Sequence, residues 1–156
     1  MNIKVVCVGN IKEKFYVDAI NEYKKRLSAF CNLNIIELKE HNINNPSLSE
    51  REIIKEKEGL EIKKHLGKFN ILLNITGNEL TSEKLADFIK EKAVNGNSEL
   101  TFIIGGSYGV SNEIKNLVNF NLSFSKLTFP HQLFRVILLE QIYRAFTILN
   151  NKSYHK

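Results

Sequence analysis

The segment at residues 105–109 (GGSYG) carries residue types suited to ligand binding. It follows an apolar run at residues 100–104 and precedes a helix expected to begin near Ser111. Glycine permits positive φ and close backbone approach, which leaves N–H groups open to a ligand at the carboxyl end of a strand. The segment fits neither G-x-G-x-x-G nor the P-loop consensus, since no Lys-Ser/Thr pair follows it. It therefore predicts either a nucleotide or cofactor site or a tight structural turn.

A second group of polar residues lies near the carboxyl end of the chain: His131, Arg135, Arg144 and the tail Tyr154-His155-Lys156. His131 at a helix start could meet an anionic ligand, and Arg135 one turn later could clamp a phosphate or a carboxylate. His155 could act as a general base near neutral pH. Structural alternatives stay open: His131 as a helix cap, Arg144 as a surface partner of Glu140, and the tail as a frayed end.

Neither metal chemistry nor covalent hydrolysis has support in the sequence. The four histidines have no helical i, i+4 pairing, no H-E-x-x-H motif and no cysteine partner, so we expect no metal site. Ser107 lies in G-G-S-Y-G instead of G-x-S-x-G, and neither cysteine has a neighbouring base. Two cysteines without C-x-x-C spacing predict no disulfide framework and fit a reducing cytoplasm.

The net charge of +5 is concentrated in the last third, where residues 105–156 hold six basic and two acidic side chains. This distribution favours a polyanionic partner, although a solvated basic rim without a partner explains it as well. The first ten residues contain only a four-residue apolar run, which is too short for a signal-peptide core or a membrane span. We therefore expect a cytoplasmic protein with no membrane association.

The apolar periodicity predicts alternating strands and helices. Strands are predicted at residues 3–8, 34–38, 69–75 and 100–104, with a further extended stretch within 122–129. Helices are predicted at residues 15–30, 47–65, 82–93, 111–118 and 131–149; the second begins with a capping box at Ser47 and Glu50, and the last follows Pro130. The alternation predicts one α/β domain over residues 1–156, with a mostly parallel sheet and helices on both faces.

The helix predicted at residues 131–149 is apolar around most of its circumference. A helix of this kind is buried on all sides, and the core of one small chain would have difficulty covering it. We therefore expect a second copy of the chain to supply the cover, in a homodimer.

Several ordered motifs resemble the small SPOUT-class methyltransferases of the RlmH type, over essentially the whole chain. The motifs are VCVG at residues 6–9, EYKKRL at 22–27, KEKEG at 55–59, FIIGG at 102–106, LSFSKLTFPH at 122–131, Arg135, EQIYRA at 140–145 and YHK at 154–156. The resemblance implies a SPOUT fold with a C-terminal trefoil knot and a homodimer formed through the knotted region. It also implies methylation of N3 of a pseudouridine in ribosomal RNA of the large subunit, with S-adenosylmethionine as methyl donor.

The resemblance also implies where the methyl donor binds. The expected contacts are Leu73, Gly105, Phe124, Ser125, Lys126, Leu127, Thr128 and Phe129. Backbone groups of the loop could read the edge of the adenine while Leu73, Leu127 and Phe129 cover its faces. Asn74 stands where some relatives carry an acidic residue.

By the same resemblance, the catalytic residues are His155, Tyr154 and Arg135. His155 is expected to accept the N3 proton beside Tyr154, and Arg135 to hold phosphate or stabilise developing charge. His131, Arg144 and Lys156 are expected to contact the RNA. In a dimer the tail could serve the cofactor site of the neighbouring subunit. A small chain without an appended RNA-binding domain further predicts recognition of RNA by shape, on an assembled ribosome.

Two other functions stay open on the residues alone. A different nucleotide-binding α/β enzyme could use the glycine turn for a phosphate, and it would prefer ATP or NAD to S-adenosylmethionine. A non-catalytic dimeric RNA-binding module would instead tolerate the loss of His155.

Overall fold

Five strands and five helices alternate along residues 1–155, the part of the chain that the computed structural model describes. In chain order the elements are β1 (Asn2–Val8), α1 (Lys14–Leu27), β2 (Asn32–Leu38), α2 (Leu48–Lys63), β3 (Asn70–Glu79), α3 (Ser82–Val94), β4 (Glu99–Ile104), α4 (Asn112–Leu117), β5 (Phe120–Ser123) and α5 (His131–Leu149). Each predicted helix and the four strands predicted at residues 3–8, 34–38, 69–75 and 100–104 are present, with several ends shifted by a few residues. The extended stretch predicted within residues 122–129 overlaps β5 only at residues 122–123, and residues 124–129 form a loop.

The strands form one parallel sheet in the order β2-β1-β4-β3-β5. β1 lies inside this sheet, where Val5 pairs with Ile35 on one side and with Phe102 on the other. A parallel strand covered on both faces excludes polar side chains, which is why β1 reads as an almost unbroken apolar run. The predicted α/β class is confirmed.

Successive side chains of β1 point to opposite faces of the sheet, and different helices cover the two faces. Val5 and Cys7 pack in a cluster with the buried sides of α1, α3 and α5. Val6 and Val8 pack with residues of α2 and α4. Helices on both faces are thus confirmed, and each large apolar side chain that they bury contributes about 1.5–3 kcal/mol relative to exposure.

Strand β3 is longer than the sequence predicts. The pair Thr76-Gly77 predicts its end, yet the strand continues to Glu79 beside β5. The register with β5 shifts between Leu73 and Asn78, and at this shift Gly77 lies so close to the backbone of residue 121 that no Cβ atom would fit. The glycine therefore permits two strands to approach at an irregularity instead of ending one of them.

Helix α5 has the bounds that the sequence predicts, and it packs on α1 and α3. All 19 of its residues are buried or half-buried, with Leu138 and Ile142 fully excluded from water. Leu133 and Ile137, one turn apart, keep partial exposure. A second subunit over this surface and a knotted C-terminal region stay predictions. No helix within residues 1–155 combines the length and apolar character needed to cross a bilayer.

Candidate active site

A cavity of about 340 Å³ opens at the carboxyl edge of the sheet, where β4 ends beside residues 72–75 of β3, and parallel α/β sheets commonly bind ligands at this edge. Its walls come from residues 72–75 of β3, the glycine turn after β4, the loop between β5 and α5, and the start of α5. The volume lies within the range of small-molecule sites. Chain segments that are distant in sequence therefore converge on one site.

Most of the residues predicted to bind the methyl donor line this cavity. They are Leu73, Gly105, Phe124, Ser125, Leu127, Thr128 and Phe129. Lys126 is exposed and lies outside the lining. His131, predicted to contact RNA, forms part of the cavity wall at the first residue of α5.

The glycine turn is held by its own backbone and by a neighbouring carboxylate. The N–H of Gly109 donates to the carbonyl of Gly106 at 3.0 Å, and the φ of Gly109 is +86°, which other residues adopt only with strain. Gly105 has no room for a Cβ atom because Val110 lies against it. Ser107 Oγ donates to the carboxylate of Glu40 at 2.9 Å. The turn is thus a well-defined wall of the cavity.

Glu58 of α2 lies behind this turn and is 2% exposed. Its Oε1 accepts the backbone N–H of His41 at 3.0 Å, whereas Oε2 has no hydrogen-bond partner within residues 1–155. Burial raises the pKa of the Glu58 carboxyl above its ordinary value; the His41 N–H opposes this shift and the charge of Glu40 adds to it. Since Oε2 packs against Gly106, a buried carboxyl group supports the cavity wall.

Hydroxyl groups shape the loop between β5 and α5. Ser123 Oγ lies 3.3 Å from the carbonyl oxygen of Ile75 and 3.2 Å from that of Ser125. Ser125 Oγ in turn accepts the N–H of Leu127 at 2.9 Å. These contacts fix the loop against the end of β3, so its backbone faces the cavity in a set conformation.

Aromatic rings supply the apolar part of the cavity wall. Phe134 stacks on Phe129 with ring centroids 5.8 Å apart and meets Phe124 edge-on at 5.4 Å. Leu127 stands beside them with 72% of its surface exposed. Apolar surfaces next to backbone donors and acceptors suit a flat heteroaromatic ring such as adenine. Phe134 was not singled out from the sequence, because a phenylalanine in an apolar helix resembles ordinary core.

Arg135 lies inside the fold, 1% exposed, and is not part of the cavity wall. Its guanidinium forms an ion pair with Glu37 and donates to the carbonyl of Gly9 at 2.9 Å. The adjacent Gln132 accepts the N–H of Lys12 at 2.9 Å. Both residues tie the start of α5 to the segment after β1. The guanidinium is thus enclosed by these partners and does not face the cavity, and the role of Arg135 toward the RNA stays a prediction.

Tyr154 and His155 meet Arg144 at the far end of α5. Arg144 Nε and Nη2 donate to Oε1 of Glu140 at 2.9 and 2.6 Å, and its guanidinium lies 4.9 Å from the ring centroid of Tyr154. His155 Nδ1 lies 3.3 Å from Arg144 Nη1, and His155 Nε2 lies 2.7 Å from Oε1 of Glu83. Because arginine can only donate, these contacts fit a neutral imidazole with its proton on Nε2.

This tail cluster and the cavity lie at opposite ends of α5. His131 and Arg144 are separated along the helix by about 20 Å, at 1.5 Å per residue. Within one chain, Tyr154 and His155 are therefore brought together with Arg144 but not with the predicted cofactor residues. Lys156, expected to contact RNA, lies outside the described residues.

Two further residues of the cavity wall were not among the predicted site residues. Tyr108 lies within the glycine turn that the sequence singles out as a whole, and Lys115 lies in α4, one turn beyond its cap at Ser111. The only signal for Lys115 in the sequence is its proximity to the turn.

The described part of the chain offers no alternative metal or thiol centre. Within residues 1–155 no three His, Cys, Asp or Glu side chains come together as potential metal ligands. Burial raises the pKa of Cys7 to about 12 and that of Cys31 to about 11, so both thiols stay protonated at neutral pH.

Comparison with known proteins shows which family the chain is similar to. The family described as "Predicted SPOUT methyltransferase" matches residues 1–155. "Ribosomal RNA large subunit methyltransferase H" of Clostridium botulinum strain Hall is 54% identical over 159 residues, covering all of both chains. A relative from Methanococcus maripaludis strain C5 is likewise 54% identical with full coverage.

A solved structure shows the same fold at low identity. It is a probable methylase family protein from Haemophilus influenzae Rd KW20, with a TM-score of 0.59 and 13% identity, covering 99% of this chain and 70% of that chain. The match to the family over residues 1–155 and the full-length relatives agree with the resemblance of the motifs. The chain therefore belongs to the SPOUT methyltransferase family.

Proposed function

We propose that this protein transfers a methyl group from S-adenosylmethionine to N3 of a pseudouridine in the ribosomal RNA of the large ribosomal subunit. The observation that carries the proposal is the convergence of Leu73, Gly105 and the loop at residues 124–129 on one cavity. The names of the full-length relatives support the substrate class, because they specify a methyltransferase of large-subunit ribosomal RNA.

The cavity fits the methyl donor in size and chemistry. Its volume of about 340 Å³ is suited to a small molecule, and its walls combine phenylalanine rings with the backbone of two loops. Phe124 and Phe129 are placed to cover the adenine, and the loop backbone to bind its edge. The part of β3 in the cavity wall contributes Asn74, an uncharged side chain, and the wall contains no Asp or Glu among the described residues, so no carboxylate of the wall neutralises the sulfonium.

When bound, S-adenosylmethionine supplies an electrophilic methyl carbon attached to a positively charged sulfur. N3 of pseudouridine must lose its proton to attack that carbon efficiently, so the chain must provide a proton acceptor close to the base. We assign this role to His155, with Tyr154 beside it; its acceptor nitrogen would be Nδ1, which lies against Arg144 within one chain and would have to leave that contact. The N3–H proton would pass to this nitrogen, while the methyl donor would supply the methyl group that N3 receives.

A homodimer brings this acceptor to the cavity. Within one chain His155 lies against Arg144, which is about 20 Å along α5 from His131 at the cavity. The partly exposed Leu133 and Ile137 provide apolar surface on α5 for a second subunit. Antiparallel packing of two such helices would place the tail of each chain near the cavity of the other.

Recognition of the RNA uses the basic surface of the last third of the chain. His131 and Lys115 at the cavity wall are suited to contact phosphates near the target base. The chain is small for sequence-specific reading of RNA, so we assign the assembled ribosome as substrate, in the cytoplasm. Arg135 contributes indirectly, by positioning the first turn of α5 through Glu37 and Gly9.

The first experiment is titration calorimetry of the purified protein with S-adenosylmethionine, with ATP and NAD as controls and the mass of the dimer determined alongside. Micromolar binding of S-adenosylmethionine alone is expected. Transfer of labelled methyl groups is then measured on intact ribosomes and on protein-free ribosomal RNA, with faster transfer expected on ribosomes. A preference for ATP or NAD would overturn the proposal, and equal rates on the two RNA substrates would overturn the assignment of the ribosome.

A further inference from the structure

A tyrosine and an arginine stand together at the rim of the cavity. Tyr108, within the glycine turn, is 37% exposed, and the guanidinium of Arg51 from α2 lies over its ring, 5.2 Å from the centroid. Tyr108 lines both the cavity and an adjoining surface groove formed by α2, whereas Arg51 lines only the groove. The ring therefore separates the cavity from the groove.

The position of this ring is fixed by the turn that carries it. The N–H of Gly109 donates to the carbonyl of Gly106, and Ser107 Oγ donates to Glu40, so both neighbours of Tyr108 are tied down. An aromatic side chain held in place at the surface pays little ordering entropy when a flat ligand stacks on it. The turn thus presents a preorganised stacking surface next to the cavity.

The charges around the ring favour an anionic occupant. In the groove Lys55 pairs with Glu52, while Arg51 forms no ion pair within residues 1–155. On the cavity side Lys115 is exposed, and the cavity wall contains no Asp or Glu among the described residues. A cation–π contact orients the Arg51 guanidinium without consuming its N–H donors, which remain available to a phosphate.

We propose that Tyr108 and Arg51 form a nucleotide platform, on which a base of the substrate RNA next to the methylated nucleotide stacks on Tyr108 while its phosphate binds Arg51. This inference rests on the proposed function, since it names a contact of the same substrate. Proteins commonly bind single-stranded and loop regions of RNA by stacking the bases on aromatic side chains. Arginine binds phosphate through two parallel N–H donors. The groove beyond Tyr108 then gives the RNA strand a path away from the cavity.

The test compares Tyr108→Ala, Tyr108→Phe and Arg51→Glu with the wild-type protein. Loss of one stacked base is expected to raise the KM for ribosomes, and the dissociation constant of the ribosome complex, by about tenfold or more in Tyr108→Ala and Arg51→Glu. Tyr108→Phe keeps the ring and is expected to behave as wild type. Lys57→Glu, an equal charge change at an exposed site of the same helix outside the groove, is the matched control.

The affinity for S-adenosylmethionine distinguishes a direct contact with RNA from structural support of the glycine turn. We expect its dissociation constant to stay unchanged in Arg51→Glu and Lys57→Glu, since neither residue lines the cavity, and Arg51→Glu to reduce the salt dependence of ribosome binding by about one phosphate contact. A parallel loss of S-adenosylmethionine affinity in Arg51→Glu would show that the pair supports the turn and would overturn the platform. So would unchanged ribosome affinity in Tyr108→Ala.

Two further readouts separate this inference from the proposed function and from a protein partner. If the wild-type protein transfers no methyl group, the proposed function fails, while the platform is still judged by the ribosome affinities of the variants. A photo-crosslinking benzoylphenylalanine at position 108 is expected to label ribosomal RNA. Crosslinks confined to ribosomal proteins would overturn the assignment of a nucleotide.

Discussion

The buried carboxyl group of Glu58 occupies the space that a side chain at Gly106 would need. A Cβ atom at residue 106 would overlap Oε2 of Glu58, although the backbone of Gly106 itself has no positive φ. The glycine is therefore required by close approach and not by conformation. This relationship connects α2, whose motif KEKEG contains Glu58, to the turn that forms one wall of the cavity.

Gly106→Ala is accordingly expected to weaken S-adenosylmethionine binding by tenfold or more, because the turn or the buried carboxyl of Glu58 must shift to relieve the overlap, and interiors resist added methyl groups at about 1–3 kcal/mol. Calorimetry measures the effect. Gly96→Ala is the control for general strain, since its φ of +85° also disfavours alanine, whereas Gly96 lies outside the cavity wall. Equal losses of affinity in the two variants would contradict the role of Gly106.

Glu58→Gln is expected to make the stability of the fold less dependent on pH. Burial raises the pKa of Glu58 in the folded state above its ordinary value near 4.3, so the folded chain binds the proton more tightly than the unfolded chain. Wild-type stability therefore falls as the pH rises from about 4 through the raised pKa. The amide keeps the acceptor for the His41 N–H but cannot ionise.

Urea unfolding at a series of pH values tests this prediction. The free energy of unfolding of Glu58→Gln, relative to wild type, is expected to increase above about pH 4 and to level off once Glu58 is ionised. Glu56→Gln, at an exposed position of the same helix, provides the matched control. A constant difference between Glu58→Gln and wild type across the series would rule out the buried carboxyl as the cause.

Arg135→Met tests whether Arg135 positions α5 or contacts the substrate. The substitution removes the ion pair with Glu37 and the hydrogen bond to Gly9, and losses of hydrogen bonds to charged groups cost about 1.5–3 kcal/mol each. We expect lower stability in urea, and a kcat near wild type at temperatures where the variant stays folded. Unchanged stability with a large loss of kcat would instead support direct contact with the substrate.

The sequence was sufficient to predict the helices and strands but not the contacts between side chains that are distant along the chain. The apolar period of residues 131–149 gave the bounds of α5 correctly, and Ser47 with Glu50 forms the expected capping box. Local patterns of this kind depend on neighbours within one or two turns. Arg135 of α5, in contrast, pairs with Glu37 of β2, 98 positions away in the sequence, and no local spacing indicates this contact.

In the candidate site, too, only some of the tertiary contacts could be predicted from the sequence. The resemblance brought Leu73, Gly105 and residues 124–129 together, because motifs of a family carry tertiary information that a single sequence lacks. It could not show that the Arg51 guanidinium lies over the Tyr108 ring or that Glu58 packs against the glycine turn. Both relationships depend on where α2 crosses the sheet, which is set by packing and not by local sequence.

Glu83→Gln is expected to loosen the C-terminal tail. Its own backbone N–H, the Thr81 hydroxyl and His155 lower the pKa of Glu83 to about 2, so its carboxylate is charged and available to His155 at neutral pH. The stabilisation is present above the ordinary pKa near 4.3 and is lost as the pH falls towards 2.

Digestion with a carboxypeptidase at pH 7 measures this effect, and faster removal of the tail is expected in Glu83→Gln. Asp87→Asn, one turn along the same helix, removes an equal charge at an exposed position and is expected to leave the rate unchanged. If both variants are digested at the wild-type rate, the contact between Glu83 and His155 does not hold the tail.

The distance between His155 and the cavity leads to a prediction about the dimer. His155→Ala alone is expected to retain S-adenosylmethionine affinity and lose about 10² to 10⁴ in kcat, as for loss of a general base. At S-adenosylmethionine concentrations below the wild-type dissociation constant, Gly106→Ala alone is expected to lose tenfold or more in activity, because its cavity binds the methyl donor weakly. If each tail serves the neighbouring subunit, a mixed dimer has one intact site, formed by the cavity of the His155→Ala chain and the tail of the Gly106→Ala chain.

Co-expression of the two variants in equal amounts, with different affinity tags to isolate the mixed dimer, tests this arrangement. Since random pairing makes half of the dimers mixed, each with one working site of two, the unfractionated mixture is expected to recover roughly a quarter of wild-type activity. The purified mixed dimer should recover about half. A tail that served its own chain would leave the mixed dimer as inactive as its parents, because the intact His155 would then remain paired with the defective cavity.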